Sequence, residues 1–119
     1  MPKEKDNSEL QKLFEERQVA ERNLFNAKSQ FMHNTNVKRR SELTLADLQS
    51  LPADTKVFRA VGRLFLVDEL PSMKKEIEGV VENSVGEINK IEKSIEVLQK
   101  RFAEADKSLR EVAQSTAAA

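Results

Sequence analysis

Cysteine, tryptophan and tyrosine are absent from this sequence, and glycine and proline occur three times each. Without cysteine there can be no disulfide and no thiolate metal site, which fits a reducing compartment. The glycines at 62, 79 and 86 form no phosphate-cradling loop, so ATP use is not expected. Aromatics make up 5% of the 119 residues, too few to fill a large globular core. Net charge is also missing: twenty basic residues balance twenty acidic ones, and nothing in that balance draws the chain to nucleic acid or to an anionic membrane. No apolar run approaches the roughly 20 residues of a membrane span. The start Met1-Pro2-Lys3-Glu4-Lys5-Asp6 is too charged for a secretory signal. A soluble, cytoplasmic protein without a cofactor is the expectation. His33 is the only histidine, so neither a metal site nor a Cys–His pair is expected, and no catalytic residues are assigned.

What the chain does have is charge, at 34% of residues, and a regular apolar pattern. High charge with few aromatics means either disorder or long solvated helices, and periodicity decides between them. Leu10, Leu13, Arg17, Ala20, Leu24, Ala27, Phe31, Asn34 and Lys38 alternate in steps of three and four. So do Ile77, Val81, Ser84, Ile88, Ile91, Ile95, Leu98, Phe102, Ala105, Leu109 and Val112. These are sustained heptad a and d positions, the mark of a coiled coil. A single domain over 1–119 is expected, with a polar tail at 1–7 and a first helix over 8–40. A linker follows over 41–55, with a β-hairpin over 56–67 and a second helix over 70–113. In the linker, Thr44 is a candidate cap for a short helix from Leu45 to Leu51, ended by Pro52. Pro71 suits a helix start, and the Ala-rich end is expected to fray. At about 1.5 Å per residue the second helix extends on the order of 65 Å.

A short insert between two long helices makes them antiparallel. The matching register sets Leu10 beside Val112, Leu13 beside Leu109, Arg17 beside Ala105 and Ala20 beside Phe102. It continues with Leu24 beside Leu98, Ala27 beside Ile95 and Phe31 beside Ile91. Large residues then face small ones, as constant packing density requires. Lys38 meets Ser84, so two polar exceptions coincide, while Asn34 beside Ile88 is a poorer match. Val37, Val80 and Val85 are expected to widen the stripe. At the far end, Leu10, Leu13, Phe14, Leu109 and Val112 have little chain beyond them to cover them.

The segment Val57-Phe58-Arg59-Ala60-Val61-Gly62-Arg63-Leu64-Phe65-Leu66-Val67 is the only β-like stretch, with Gly62 at the turn. A lone two-stranded hairpin is marginal in water, and its edges invite further strands. Val57, Val61, Leu64, Phe65, Leu66 and Val67 are too apolar for a solvated hairpin. Coiled coil plus sticky hairpin therefore implies an oligomer. The order helix, linker, single hairpin, helix resembles the β-type prefoldin subunits. The aromatic followed by Val-Gly-Arg-apolar-Phe-apolar carries the resemblance most specifically, and the linker LTLADLQSLPADTKV supports it. The α-type has two hairpins. The Lys/Arg run before the linker and the Ala-rich end depart from the family pattern.

The resemblance implies a mainly α fold: a long antiparallel two-helix coiled coil joined by a short linker helix and a single hairpin. It implies a heterohexamer with two α-type and further β-type subunits, whose hairpins form a double β-barrel body. It implies capture of unfolded actin and tubulin by the coiled-coil ends, without nucleotide, and transfer to the group II cytosolic chaperonin. Leu10, Leu13, Phe14, Leu109 and Val112 then become client-contact candidates, although their heptad fit serves equally well to close the coiled coil. Val57, Phe58, Val61, Gly62, Leu64, Phe65, Leu66 and Val67 become subunit-assembly candidates. Phe25 falls outside the stripe and should be exposed, as isolated surface apolar residues often are. Lys38-Arg39-Arg40 reads as a solvated helix end more readily than as a nucleic-acid contact, and the pairs Glu15/Glu16 and Asp68/Glu69 read as helix-surface and helix-start charges. A tethering coiled-coil oligomer without chaperone activity is the alternative, and a transcriptional scaffold using the same assembly is a second.

Overall fold

A computed structural model describes residues 2–118, with side chains described over 8–115. The element order is α1 (Pro2–Gln49), β1 (Lys56–Val61), β2 (Leu64–Glu69) and α2 (Leu70–Ala118). The residues group into two compact units, described in turn.

The first unit joins α1 up to Phe31 with α2 from Lys90 onward. Its two helices are held by the expected seam. Leu10, Leu13, Arg17, Leu24 and Phe31 are half-buried, and Ala20 and Ala27 are buried. On α2, Ile91 is buried, and Ile95, Leu98, Phe102, Ala105, Leu109 and Val112 are half-buried. Burial follows the three–four alternation because only those positions share one face of a 3.6-residue helix. One polar residue tests the register. The Arg17 guanidinium carbon lies 5.5 Å from the centre of the Phe102 ring, a cation–π distance. Its Nε sits 2.9 Å from Asp106 Oδ1, an ion pair whose N–H is not aligned as a hydrogen bond. Asp106 also meets Arg110 Nε at 3.1 Å, one turn further along α2. Phe102 and Asp106 flank Ala105, the residue that the sequence register sets beside Arg17.

The second unit comprises residues 32–89: the rest of α1, the hairpin and the start of α2. Here the first helix does not stop near residue 40. It runs unbroken to Gln49, so the separate linker helix from Leu45 to Leu51 is replaced by the last turns of α1. The segment 41–49 holds no glycine or proline, and Leu45 and Leu48 continue the half-buried stripe. Thr44 is not a cap: its Oγ1 donates to the Arg40 carbonyl at 2.9 Å, so the hydroxyl is satisfied inside the helix. The helix tightens at its end, where Ser50 N donates to the Asp47 carbonyl at 3.3 Å and Leu51 N to the Leu48 carbonyl at 3.2 Å. Pro52 disfavours helical geometry in the residue before it and has no N–H to continue the ladder. The ends differ from expectation too. Residues 2–7 and 114–118 are helical. Alanine has the highest helix propensity, which favours helix in the Ala-rich end.

The hairpin is an antiparallel pair with Lys56 opposite Glu69 and Val61 opposite Leu64. The second strand therefore extends to Glu69, two residues beyond the expected Val67, and α2 follows at Leu70 with no linker. Gly62 has a φ of 61°, and no residue other than glycine has a positive φ among the described residues. Positive φ at the first turn residue alone is the type II′ pattern, whose twist matches that of the strands. A Cβ at Gly62 would meet nothing within 4 Å, so the dihedral rather than space demands glycine there. Among the described residues Leu70, where β2 passes into α2, is the most deeply buried side chain, at 1% exposure, and Ser84, further along α2, is buried at 5%. Val37 joins the seam half-buried, while Val80 and Val85 stay more than a third exposed.

The register gives a direct expectation. Cysteines replacing Leu24 and Leu98 should form an intramolecular disulfide under mild oxidation, read by gel mobility and mass. Cysteines replacing Leu24 and Ile91, about 10 Å out of register by helix rise, should not.

Candidate functional site

Directly opposed residues in a hairpin share a face. The pairs Phe58/Val67 and Ala60/Phe65 therefore lie on one side, with Lys56/Glu69 at the base. The pairs Arg59/Leu66, Val57/Asp68 and Val61/Leu64 lie on the other. The first face, here called outer, has no cover: Phe58 is 60% exposed, Phe65 73% and Val67 65%. The second, inner face is covered only near its base, where Val57, Arg59 and Asp68 are half-buried. Towards the turn Val61, Leu64 and Leu66 are again half or more exposed. Fully burying such side chains is worth up to about 1.5–3 kcal/mol each. Among the described residues the sheet has two strands, so both outward edges carry unpaired backbone groups.

The inner face is tied to α2 by charge. Arg59 Nη1 donates to Glu76 Oε1 at 2.9 Å, and Nη2 donates to Glu76 Oε2 and, at 3.2 Å, to Asp68 Oδ2. The Asp68 carboxylate turns its other oxygen to the helix start, accepting from the Glu69 N–H at 2.9 Å. Hydrogen bonding to Arg59 holds the Glu76 carboxyl below its ordinary value of 4.5, with desolvation working against it. The same bonds raise the Arg59 guanidinium further above its already high value.

A family model described as a prefoldin subunit matches residues 3–116. The chain belongs to the prefoldin subunit family. It is 31% identical over 77 residues to prefoldin subunit 1 of Arabidopsis thaliana, a stretch covering 65% of this chain and 60% of that protein. It is 37% identical over 75 residues to a probable prefoldin subunit 1 of Caenorhabditis elegans, covering 63% of this chain and 64% of the relative. The matched stretch thus spans less than two thirds of these relatives' own length. The crystal structure of the prefoldin beta subunit from Thermococcus strain KS-1 superposes with a TM-score of 0.75 at 17% identity, over 87% of this chain and 90% of that one. At that identity the likeness speaks for the fold: two long helices and a single hairpin, the β-type prefoldin arrangement.

The candidates for prefoldin assembly, Val57, Phe58, Val61, Gly62, Leu64, Phe65, Leu66 and Val67, all come together on this hairpin. Val57 is the exception in exposure, being half-buried at the base. The client candidates separate. Leu10, Leu13, Leu109 and Val112 lie half-buried in the seam, whereas Phe14 stands outside it at 53% exposure. Phe25, also off the stripe, is 69% exposed. Beside the seam runs an open groove lined by Leu13, Val19, Ala20, Leu98 and Ala105 together with Glu15, Arg101 and Glu104. No helix among the described residues is long and apolar enough to cross a membrane, and no cluster there has the acidic or imidazole groups to hold a metal.

Sequence reasoning missed Arg59, Glu76 and Leu70. Arg59 carries one usable signal: it is a basic residue inside an apolar strand, diagonal to Asp68 once Gly62 fixes the turn. Nothing local marks Glu76, since which turn of α2 meets the hairpin is a tertiary matter. The depressed Glu76 carboxyl gives an acid-limb expectation. A carboxyl held below its unfolded value contributes stability that is present above about pH 4.5 and is lost as pH falls through its folded value. The stability difference between the native chain and Glu76→Gln, followed by denaturant titration, should be flat from pH 6 to 8 and shrink below pH 4.5.

Proposed function

We propose that this chain is a subunit of a heterohexameric prefoldin co-chaperone, acting as one prefoldin-like domain beside two α-type and further β-type subunits. In this reading the complex works in the cytoplasm. It captures unfolded polypeptides, actin and tubulin among them, without ATP or catalysis, and hands them to the group II cytosolic chaperonin. The observation that carries it is the uncovered outer face of the hairpin, Phe58, Phe65 and Val67, joined to two open sheet edges. A surface of that kind is satisfied by strands of other subunits, and family membership supplies the kind of subunit.

Client capture falls to the end of the coiled coil, at Leu10, Leu13, Phe14, Leu109 and Val112. Phe14 and the groove beside Leu13 offer apolar surface edged with charge. Weak contacts of this sort gain strength when several subunits present them to one chain, and they release readily on handover.

The test is made on purified complexes. Phe58→Ser with Phe65→Ser should weaken assembly by about 2–4 kcal/mol, roughly 30- to 1,000-fold, since exposed aromatics are common interface anchors. Leu13→Ser with Phe14→Ser should leave the hexamer intact but lower its suppression of denatured-actin aggregation several-fold. A tip variant that suppresses aggregation as well as the native complex would remove the client assignment. A hairpin variant that assembles normally would remove the assembly assignment.

A further inference from the structure

The hairpin leaves the helices through two connections, residues 50–55 on one side and the direct Glu69–Leu70 junction on the other. Between them, one side chain reaches across three elements. Arg59 stands in β1, pairs with Asp68 of β2 and grips both carboxylate oxygens of Glu76 on α2, 17 residues along the chain. A planar guanidinium held by two oxygens of one carboxylate fixes direction as well as distance, which a lysine ammonium cannot do. Arg59 is half-exposed, and surface ion pairs contribute little to stability by themselves. The arrangement suits orientation better than stabilisation. Leu70, buried at the junction, makes a pivot. The Arg59 fork, three residues up the paired strands from the Lys56/Glu69 base, stops rotation about it.

Rotation matters if the hairpin is the assembly surface. Strands of different subunits join through hydrogen bonds of about 2.7–3.2 Å, so a tilted hairpin presents its edges out of reach. We propose that Arg59 is the positioning residue of assembly: by bridging Glu76 and Asp68 it sets the angle of the hairpin to α2, and so presents the outer face and the edges to neighbouring subunits. This rests on the reading of the hairpin as the assembly surface given above.

Two readouts keep the two readings apart. Spin labels at Ala60→Cys and Glu78→Cys report the hairpin-to-helix distance in the free chain, and co-assembly with the other subunits reports function. Arg59→Ala and Arg59→Lys should broaden the distance distribution and weaken co-assembly at least about tenfold, with helix content by circular dichroism unchanged. The exchange Arg59→Glu with Glu76→Arg puts the guanidinium on α2, within reach of both acids, and should restore a narrow distribution and assembly. An unchanged distribution in Arg59→Ala overturns the proposal, as does an exchange variant that stays broad. Should Arg59→Ala lose helix content, the exchange variant alone decides. Phe58→Ser with Phe65→Ser should lose assembly while keeping the narrow distance. If that variant assembles normally, the assembly reading fails, and the distance measurement still judges the positioning role.

Discussion

A single seam of side chains, alternating in steps of three and four, is the constraint on which the rest of the protein depends. Each helix buries that stripe, while the positions between are mostly charged or polar and the apolar ones among them, such as Phe14, Phe25 and Met32, stay exposed. In the expected register alanines at 20, 27 and 105 face larger residues on the other helix, which would keep the packing dense where the seam is only a residue or two wide. Arg17 is tolerated in this stripe because its charge is met by Asp106 and its flat face by Phe102. Its partners also penalise a slip: a shift by one heptad would leave a half-buried cation with neither. A polar seam residue of this sort costs stability and specifies register.

Apolar residues committed to the seam cannot also cover a sheet. The hairpin is the consequence. Its strands satisfy each other along one edge only, its outer face stays open, and its inner face is covered only near α2. In a monomer this is an aggregation risk. In the proposed assembly it would be a shared need, each hairpin supplying the edge and apolar face that the others lack. The Arg59–Glu76 tie turns the inner face toward α2 and leaves the outer one free.

The seam was legible because helical burial follows a period that any run of apolar residues reveals; every assigned a and d position is buried or half-buried. The hairpin was legible for a different reason, since Gly62 is where two β-rich runs must turn and its φ bears this out. Boundaries were harder. Thr44 is a good cap in one context and a satisfied helix residue in another, and only the continuing stripe at Leu45 and Leu48 decides between them. Residues 2–7 hold no apolar position from which a period could be read. Leu70 stood beside Pro71 at a helix start, where nothing local says what lies above it. The Arg59–Glu76 tie joins residues 17 apart across a turn, so it belongs to the tertiary fold. The tip candidates divide along the same line: the seam explains four of them, and Phe14 alone stands outside it.

The central claim is that this chain completes its fold only among different subunits of its own family. Native mass spectrometry of the chain, purified gently from its own cells, tests it most directly. The expected result is a hexamer containing this chain together with other prefoldin subunits. A homodimer or a lone monomer, under conditions that preserve other complexes, would contradict it and favour a tethering coiled coil.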